Sequence, residues 1–456
     1  MRQPPDERVG SVGTVRVPPR RSAYDRDILA LAIPALGALI AEPLYVLVDT
    51  AIVGNLGTLP LAGLAVAGMV LTAVFGIFNF LAYSTTSAVA RQLGAGNRRV
   101  GAERGVDGVW LAAGLGCLLT VVGLLVAPLV VEGMGASADV RPYALTYLRI
   151  SLLGAPFVLV MLAGAGYLRG LQDTKTTLIV AVAANVVNLG LELVLVYGFD
   201  LGIAGSAWGT VIAQVGAGLV FLAIIARTAR RAGAGLMPRA DGVRETAVVG
   251  GHLVVRTGSL LLALLATTAV AARISDTSVA AHQVAFQIWT FLALTLDAIA
   301  IAGQAIVGRL LGADDEAGSR AASTRMLELG IATGIVLGLC TAVLRPVLVP
   351  IFTDDGSVAL LAEQVLWFVA ALQPVAAAVF VLDGILIGAG DSRYLAKAMA
   401  AATILYAPLV ALVAGVHASL LWLWAAFSVW MLARLVGMGA RFVGNRWAVT
   451  GATRAG

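Results

Sequence analysis

Twelve long apolar segments run through this 456-residue chain, and they constrain its fold more than any other feature. A helix needs about 20 apolar residues to cross a bilayer. Polar breaks predict spans at 28–53, 60–83, 106–131, 145–168, 177–198, 202–226, 246–271, 279–306, 326–351, 364–388, 396–416 and 419–442. Only 12% of the residues are charged, against about 25% in a soluble domain. The sequence therefore predicts an all-α polytopic membrane protein.

The basic residues fall in alternate loops, which predicts the orientation of the chain. Arginines and lysines cluster before the first span and after the second, fourth, sixth, eighth and tenth, while the other loops are richer in acids. By the positive-inside rule, both termini are expected in the cytoplasm, and the protein in the plasma membrane. The formal charge of +5 thus reflects topology, and no nucleic-acid partner is expected. Residues 1–26 and 446–456 are predicted to be cytoplasmic tails, the first disordered.

Cysteines, histidines and enzyme motifs offer no chemistry of their own. The two cysteines lie inside apolar runs, and the three histidines are far apart in sequence; they are Cys117, Cys340, His252, His282 and His417. Neither a disulfide framework, a resident metal nor another cofactor is expected. The sequence contains no DDxxD pair in a basic loop, no HExxH motif and no convincing serine–histidine pair. It therefore does not predict an enzyme.

The chain repeats itself at an offset of 218 residues (309 minus 91). Residues 91–95, RQLGA, match 309–313, RLLGA, and residues 170–175 match 388–393. Pro156 and Pro374 keep the same offset. This register predicts two six-span lobes, 27–235 and 236–445, that cross the membrane in the same sense. Such parallel repeats are typical of secondary transporters, whereas a channel would be expected to carry a filter-like re-entrant segment.

Polar side chains break the apolar pattern in the first, fifth and sixth spans. An ionisable group at mid-bilayer costs about 2.5–3.5 kcal/mol on insertion scales, so such residues are functional candidates. Spacings of three and four residues place them on one face of each helix. The predicted cation-coupling residues are Tyr45, Asp49, Asn188, Glu192 and Thr210. Clustered carboxyl groups cannot all be ionised cheaply, which favours a proton-coupled carrier.

Other polar residues form a second group of candidates, with Pro34 as a hinge in the first span. The predicted substrate or secondary residues are Glu42, Gln283, Asp297 and Asp383. Structural roles stay open for several of these: Asp383, two turns before Asp391, could brace the loop, and Tyr45 and Asn188 could simply hold helices together. The second lobe does not repeat the acids, since Thr267 matches Asp49 at the offset.

Several segments, in this order, resemble one transporter family. They are EPL at 42–44 with VDTAIVG at 48–54, GYLRG at 166–170 with QDTK at 172–175, AHQ at 281–283, and LD at 296–297 with AGQ at 302–304. Together they resemble the multidrug and toxic compound extrusion (MATE) transporters, within them the DinF branch, over about residues 28–442. The resemblance implies twelve helices in a V of two lobes and alternating access. It also implies a cation site at Tyr45, Asp49, Asn188 and Thr210 and bending at Pro34, although the family usually has Asp where this chain has Glu192.

The predicted function is multidrug efflux of cationic or amphipathic molecules by proton antiport. Sodium is the other possible coupling ion, with Asp49, Asn188 and Thr210 as oxygen ligands. The alternative function is a flippase for a lipid-linked precursor, which would want a strongly cationic cavity, whereas the charges within the spans are mainly acidic. The expected partners are a small-molecule substrate and membrane lipid, and the expected state is a monomer.

Overall fold

The computed structural model describes residues 21–416 and 418–453. The predicted tail up to residue 20, together with His417 and residues 454–456, lies outside this range. Fourteen α-helices are found within it: α1 Arg21–Gly54, α2 Thr58–Ile77, α3 Phe80–Gly94, α4 Arg98–Gly133, α5 Arg141–Leu153, α6 Ala155–Gly170, α7 Thr174–Glu192, α8 Gly202–Arg231, α9 Ala240–Ile274, α10 Asp276–Gly312, α11 Glu316–Leu348, α12 Gly356–Gly388, α13 Ser392–Gly415 and α14 Leu420–Val443. A π-helical turn, Leu193–Gly198, follows α7, and a 3-10 turn, Val349–Ile351, follows α11.

The helices confirm the predicted polytopic all-α class. In the described residues, eleven helical stretches are long and apolar enough to cross a membrane, with α2 and α3 together forming one of them. α5 and α6 meet at a 51° bend and supply the twelfth when taken as one span. The bend lies at Gly154, and Pro156 stands at the start of α6. Proline is tolerated there because the first turn of a helix needs no backbone N–H donor.

The described residues of both predicted tails pack onto the bundle, including residues 21–26 of the N-terminal tail that was predicted to be disordered. α1 begins at Arg21, so residues 21–26 are helical, and Asp25 accepts hydrogen bonds of 2.6 and 2.9 Å from the Arg325 guanidinium. The segment after α14 folds back onto the bundle, with Trp447 fully buried. Apolar runs mark only the hydrocarbon part of a helix, because backbone hydrogen bonds continue a helix into polar sequence.

The two halves, α1–α8 and α9–α14, meet at the end of the bundle where α1 begins and α14 ends, here called the basic end. Ser87 on α3 donates a 3.3 Å hydrogen bond to the Gly388 carbonyl on α12. Gln172, in the loop after α6, donates one of the same length to the Ala305 carbonyl on α10. These contacts hold the halves against each other at the basic end.

The repeated motifs themselves touch at this end. A Cβ atom on Gly94 would lie 1.9 Å from the Arg309 carbonyl oxygen, and one on Gly312 would lie 2.0 Å from that of Arg91. Gly94 and Gly312 are repeat counterparts, as are Arg91 and Arg309, so the contact is reciprocal. Only glycine permits backbones to approach this closely. The RQLGA and RLLGA sequences thus form the junction between the halves.

Candidate functional site

The predicted coupling residues of the first half come together on α1, α7 and α8. Asp49 of α1 lies at the centre of one part of the cluster, with 4% of its surface exposed. Its Oδ2 accepts a 3.0 Å hydrogen bond from the Tyr147 hydroxyl of α5, and its Oδ1 accepts one from the Ser206 hydroxyl of α8. A buried carboxylate needs such donors, because an unpaired charge away from water is costly.

Thr210 of α8 joins the other predicted residues through one oxygen. Its Oγ1 lies 2.8 Å from the Tyr45 hydroxyl and accepts a 3.3 Å hydrogen bond from the Asn188 side-chain amide. It also lies 3.5 Å from Oε1 of Glu192, at the limit of a hydrogen bond. A hydroxyl can donate once and accept twice, so these three neighbours match its full capacity.

Asp49 and Glu192 belong to the same buried cluster: Ser206 bonds to Asp49, and Thr210, one helical turn further along α8, bonds to Glu192. Glu192 is fully buried although it is the last residue of α7. Two ionised carboxylates in one buried cluster repel each other, and the repulsion is strong in an apolar bundle. A proton on one of them, or a bound cation, lowers it. The two acids can therefore hold one positive charge.

Local sequence explains how α7 and α8 approach so closely. Glu192 is the last residue of α7, and the π-helical turn follows it directly; such turns are frequent at functional sites. Opposite it, Gly209 lacks a side chain, and a Cβ there would lie 3.0 Å from Cγ of Glu192. Gly205 stands equally close to the backbone of Leu195. The two glycines let the Glu192 side chain lie between the helices.

The structure leaves one predicted acid out of the cluster and adds two hydroxyls. Glu42, although on α1, is exposed, and within the described residues no hydrogen bond links it to Asp49 or Glu192. Sequence reasoning missed Tyr147 and Ser206. Ser206 precedes Thr210 by one helical turn and therefore shares its face, a signal that was present. Tyr147 stands on α5, which carries no other predicted site residue.

The matching positions of the second half hold no acid, as the repeat predicted. Thr267 and Tyr406, the counterparts of Asp49 and Asn188, share a 2.7 Å hydrogen bond. Trp424 stands at the counterpart of Ser206 and packs 5.2 Å, between ring centroids, from Phe427. Aromatic rings thus fill the space that is polar in the first half. The duplication has produced one acidic and one aromatic core.

The second half carries its charges elsewhere, in an ion pair that sequence reasoning missed. Arg256 of α9 donates two hydrogen bonds to the Asp383 carboxylate of α12, and both side chains are nearly buried. Asp383 therefore does not brace the loop; Asp391 has a different partner, Arg441, at 2.7 Å. The Arg256 guanidinium also lies 5.9 Å from the ring of Tyr83, which belongs to α3 of the first half.

Further charges surround this pair and correct the expectation of mainly acidic spans. Asp297 of α10 is near enough to Arg169 and Arg256 for electrostatic attraction. Arg434 of α14 is buried in the helix bundle. The cation in the middle of α9 was a visible signal, since arginine is as costly in a bilayer as an acid. The sign of the charges within the spans therefore does not distinguish an exporter of cationic molecules from a flippase for a lipid-linked precursor.

Two remaining predicted residues occupy separate places. Gln283 of α10 is exposed and lines a pocket of about 340 Å³ with Phe352 and Thr353, near the end of the bundle opposite the basic end. It is not part of the Asp49 cluster. Pro34 stands inside α1, which continues past it as one helix. Its neighbour Ala35 packs against Ala298 and Ile301 of α10 in the second half.

The comparison with known families agrees with this architecture. The MatE family profile matches residues 34–194 and 257–412, most of both halves. The chain belongs to the MATE family. It is 31% identical to protein DETOXIFICATION 44, chloroplastic, of Arabidopsis thaliana, over 97% of this chain and 84% of that protein. It is 29% identical to the DNA damage-inducible protein F of Escherichia coli K12, over 92% of each chain, which supports the predicted DinF branch.

Solved MATE structures show the same fold. The bent form of the Vibrio cholerae MATE transporter VcmN matches with a TM-score of 0.84 at 20% identity, over 94% of this chain and 98% of that one. A MOP superfamily transporter from Pyrococcus furiosus, described as having a binding pocket of reverse polarity, matches with a TM-score of 0.83 at 19% identity, over 92% of this chain and 96% of that one. This MATE chain is therefore a multi-pass membrane transporter.

Proposed function

We propose that this MATE protein exports cationic or amphipathic small molecules in exchange for protons, with both termini in the cytoplasm of a plasma membrane. One observation carries the proposal: Asp49 and Glu192 are both buried in one cluster, bonded to Ser206 and Thr210 on adjacent turns of α8, and the other members of the cluster are hydroxyl and amide groups. Such a pair takes up one positive charge at a time. A proton and a cationic substrate can therefore compete for the same place, which is the requirement for exchange.

The helix α1 connects the cluster to the junction between the halves. It carries Asp49 near one end and packs Ala35 against α10 of the second half nearer the basic end. Pro34, the residue before Ala35, has no N–H to give to the preceding turn, so the helix bends there at lower cost than elsewhere. Protonation of either acid alters the hydrogen bonds that Ser206 and Tyr147 donate to Asp49. In this mechanism the change shifts α1 and expels the substrate, and proton release to the cytoplasm resets the carrier.

The energetics support such a cycle. One proton moving through 100 mV yields about 2.3 kcal/mol, and each unit of pH gradient adds about 1.4 kcal/mol. A tenfold gradient of substrate costs about 1.4 kcal/mol. A substrate with one positive charge leaves against the same voltage, so its accumulation outside the cell depends on the pH gradient and is about tenfold per pH unit. A neutral amphipathic substrate gains from both terms.

The test uses everted membrane vesicles with an imposed pH gradient. Organic cations such as ethidium are added, and substrate-triggered proton leak is followed for the wild type and for Asp49→Asn. Asp354→Asn, an exposed acid in the loop before α12, is the matched control. We expect leak in the wild type and the control, and loss of leak in Asp49→Asn with normal membrane insertion. Normal leak in Asp49→Asn would overturn the proposal.

Repeating the assay with an imposed sodium gradient separates the coupling ions. Leak that appears only with sodium would assign Na⁺ as the exchanged ion, with Asp49, Asn188 and Thr210 as candidate oxygen ligands. The absence of leak with either ion would favour the flippase alternative, for which Arg169 and Arg256 would be the residues to test first.

A further inference from the structure

The segment after α14 makes a second connection between the halves at the basic end. Trp447 anchors it in the second half, where its ring stacks 5.3 Å from Phe442 and its Nε1 donates a 2.8 Å hydrogen bond to the Phe442 carbonyl. The Arg320 guanidinium of α11 lies 5.5 Å from the centre of the same ring. The segment is therefore fixed to the second half before it reaches the first. We call residues 448–452, which follow this anchor, the latch.

The latch bonds to the first half through side chains of α3. Arg91 donates hydrogen bonds of 2.9 Å to the carbonyls of Val449 and Gly451, and Gln92 donates one of 3.2 Å to that of Ala452. These three acceptors are backbone carbonyls. Hydrogen bonds from a charged donor are stronger than neutral ones.

Gly451 is the residue at which the halves are joined. Its carbonyl accepts from Arg91 of the first half, while its N–H donates a 2.9 Å hydrogen bond to the Leu311 carbonyl of the second. Its φ angle is +108°, in a region that residues with a side chain rarely adopt. The turn that presents both groups at once therefore requires glycine at this position.

Comparison of the two repeats shows that only one of the two equivalent arginines, Arg91 and Arg309, bonds to the latch within the described residues. Arg91 is buried and donates a further 2.7 Å hydrogen bond to the Ala389 carbonyl of the second half. Its counterpart Arg309 is 36% exposed and lies 3.5 Å from Asp27 of α1. Equivalent arginines in equivalent motifs thus differ because only Arg91 meets the latch.

We propose that the latch stabilises the state closed at the basic end and must release before the halves separate there. The inference rests on the proposed function, in which the carrier opens alternately to the two sides of the membrane. Separation of the halves pulls Arg91 and Gln92 away from Val449, Gly451 and Ala452, because the anchor keeps the latch on the second half. The C-terminal segment then sets how often the carrier opens toward the side of its own termini.

The test measures opening with no substrate present. Cys117 and Cys340 are replaced by alanine, and Ser87→Cys, whose side chain faces Gly388 across the junction, reports exposure to a water-soluble maleimide in nanodiscs. The compared proteins lack residues 448–456, which removes the latch and keeps the Trp447 anchor, or lack only 453–456 as the matched control. We expect labelling about tenfold faster without the latch than in the control, since several hydrogen bonds are lost.

A second arm closes the latch instead of removing it. In a variant that carries Gln92→Cys and Ala452→Cys, a short, reducible bismaleimide cross-links the two introduced side chains. The reporter at Ser87→Cys is labelled as before once the cross-link is complete. We expect slower labelling in the cross-linked protein and recovery on cleavage, an effect that partial unfolding cannot produce. The proposal would be overturned if removing the latch and cross-linking it each changed the labelling rate less than twofold relative to its control. Altered labelling without any substrate-triggered leak would instead contradict the proposed transport and leave the latch standing.

Discussion

The Tyr147 hydroxyl donates a 3.0 Å hydrogen bond to Oδ2 of Asp49, from a helix 98 residues further along the chain. The other oxygen of Asp49 is bonded by Ser206. Both donors are neutral, so they position the carboxylate and do not cancel its charge. A proton or a cationic substrate can still do so, and the two hydroxyls therefore support the proposed exchange site.

Replacing Tyr147 by phenylalanine should weaken exchange without preventing folding. The change keeps the ring and removes one donor to Asp49, a bond to a charged group for which mutational losses are about 1.5–3 kcal/mol. We expect substrate-triggered proton leak to fall about tenfold or more in everted vesicles. Tyr143→Phe, one turn earlier on α5 and without a contact to Asp49, is the matched control. Equal leak in the two variants would show that the Tyr147 hydroxyl does not support the site.

Thr210 should tolerate serine and not valine. Valine has nearly the same shape, but it removes the oxygen shared by Tyr45, Asn188 and Glu192. Buried polar groups then lose partners, which costs about 1–3 kcal/mol each. We expect Thr210→Val to lower the melting temperature and abolish leak, and Thr210→Ser to keep both near the wild type. The purified proteins are compared by thermal unfolding, and equal behaviour of the two variants would contradict the role of the hydroxyl.

The sequence predicted most of this cluster because its members recur at helical spacing in apolar surroundings. Asp49, Asn188 and Thr210 each share a helix face with another polar residue, so the pattern was visible without a structure. Tyr147 has no such companion, and only the packing of α5 beside α1 and α8 reveals it. The latch was equally invisible, since its bonds join residues about 360 positions apart, such as Arg91 and Gly451. Spacing along one helix is readable in a sequence, whereas the meeting of distant segments is not.

Alanine at Gly94 or Gly312 should prevent closure at the basic end. Each added Cβ would lie about 2 Å from a carbonyl oxygen of the opposite half, far inside contact distance, and backbone cannot move away as a flexible side chain can. Overpacking of this kind costs about 1–3 kcal/mol. We expect faster maleimide labelling of Ser87→Cys in both variants. Gly114→Ala is the control, because a Cβ there meets nothing within 4 Å, and labelling equal to the control would contradict the closed junction.

The pair formed by Arg256 and Asp383 should be more sensitive to loss of one partner than to loss of both. Removing one member leaves a buried charge uncompensated, which costs about 3–5 kcal/mol, whereas apolar residues in place of both are often neutral or stabilising. We therefore expect Asp383→Leu and Arg256→Met each to lower the melting temperature, and the double variant to recover most of the loss.

Transport by the double variant then decides what the pair does. If Arg256 and Asp383 only stabilise the second half, the recovered double variant keeps substrate-triggered leak, because the Asp49 cluster lies in the other half. If the pair takes part in binding or in movement of the lobes, leak stays low although the melting temperature returns. We expect leak to be retained, since the cation of Arg256 already neutralises Asp383 and leaves that carboxylate no charge to exchange. Loss of leak in a fully stable double variant would place a second functional site in the lobe with the aromatic core.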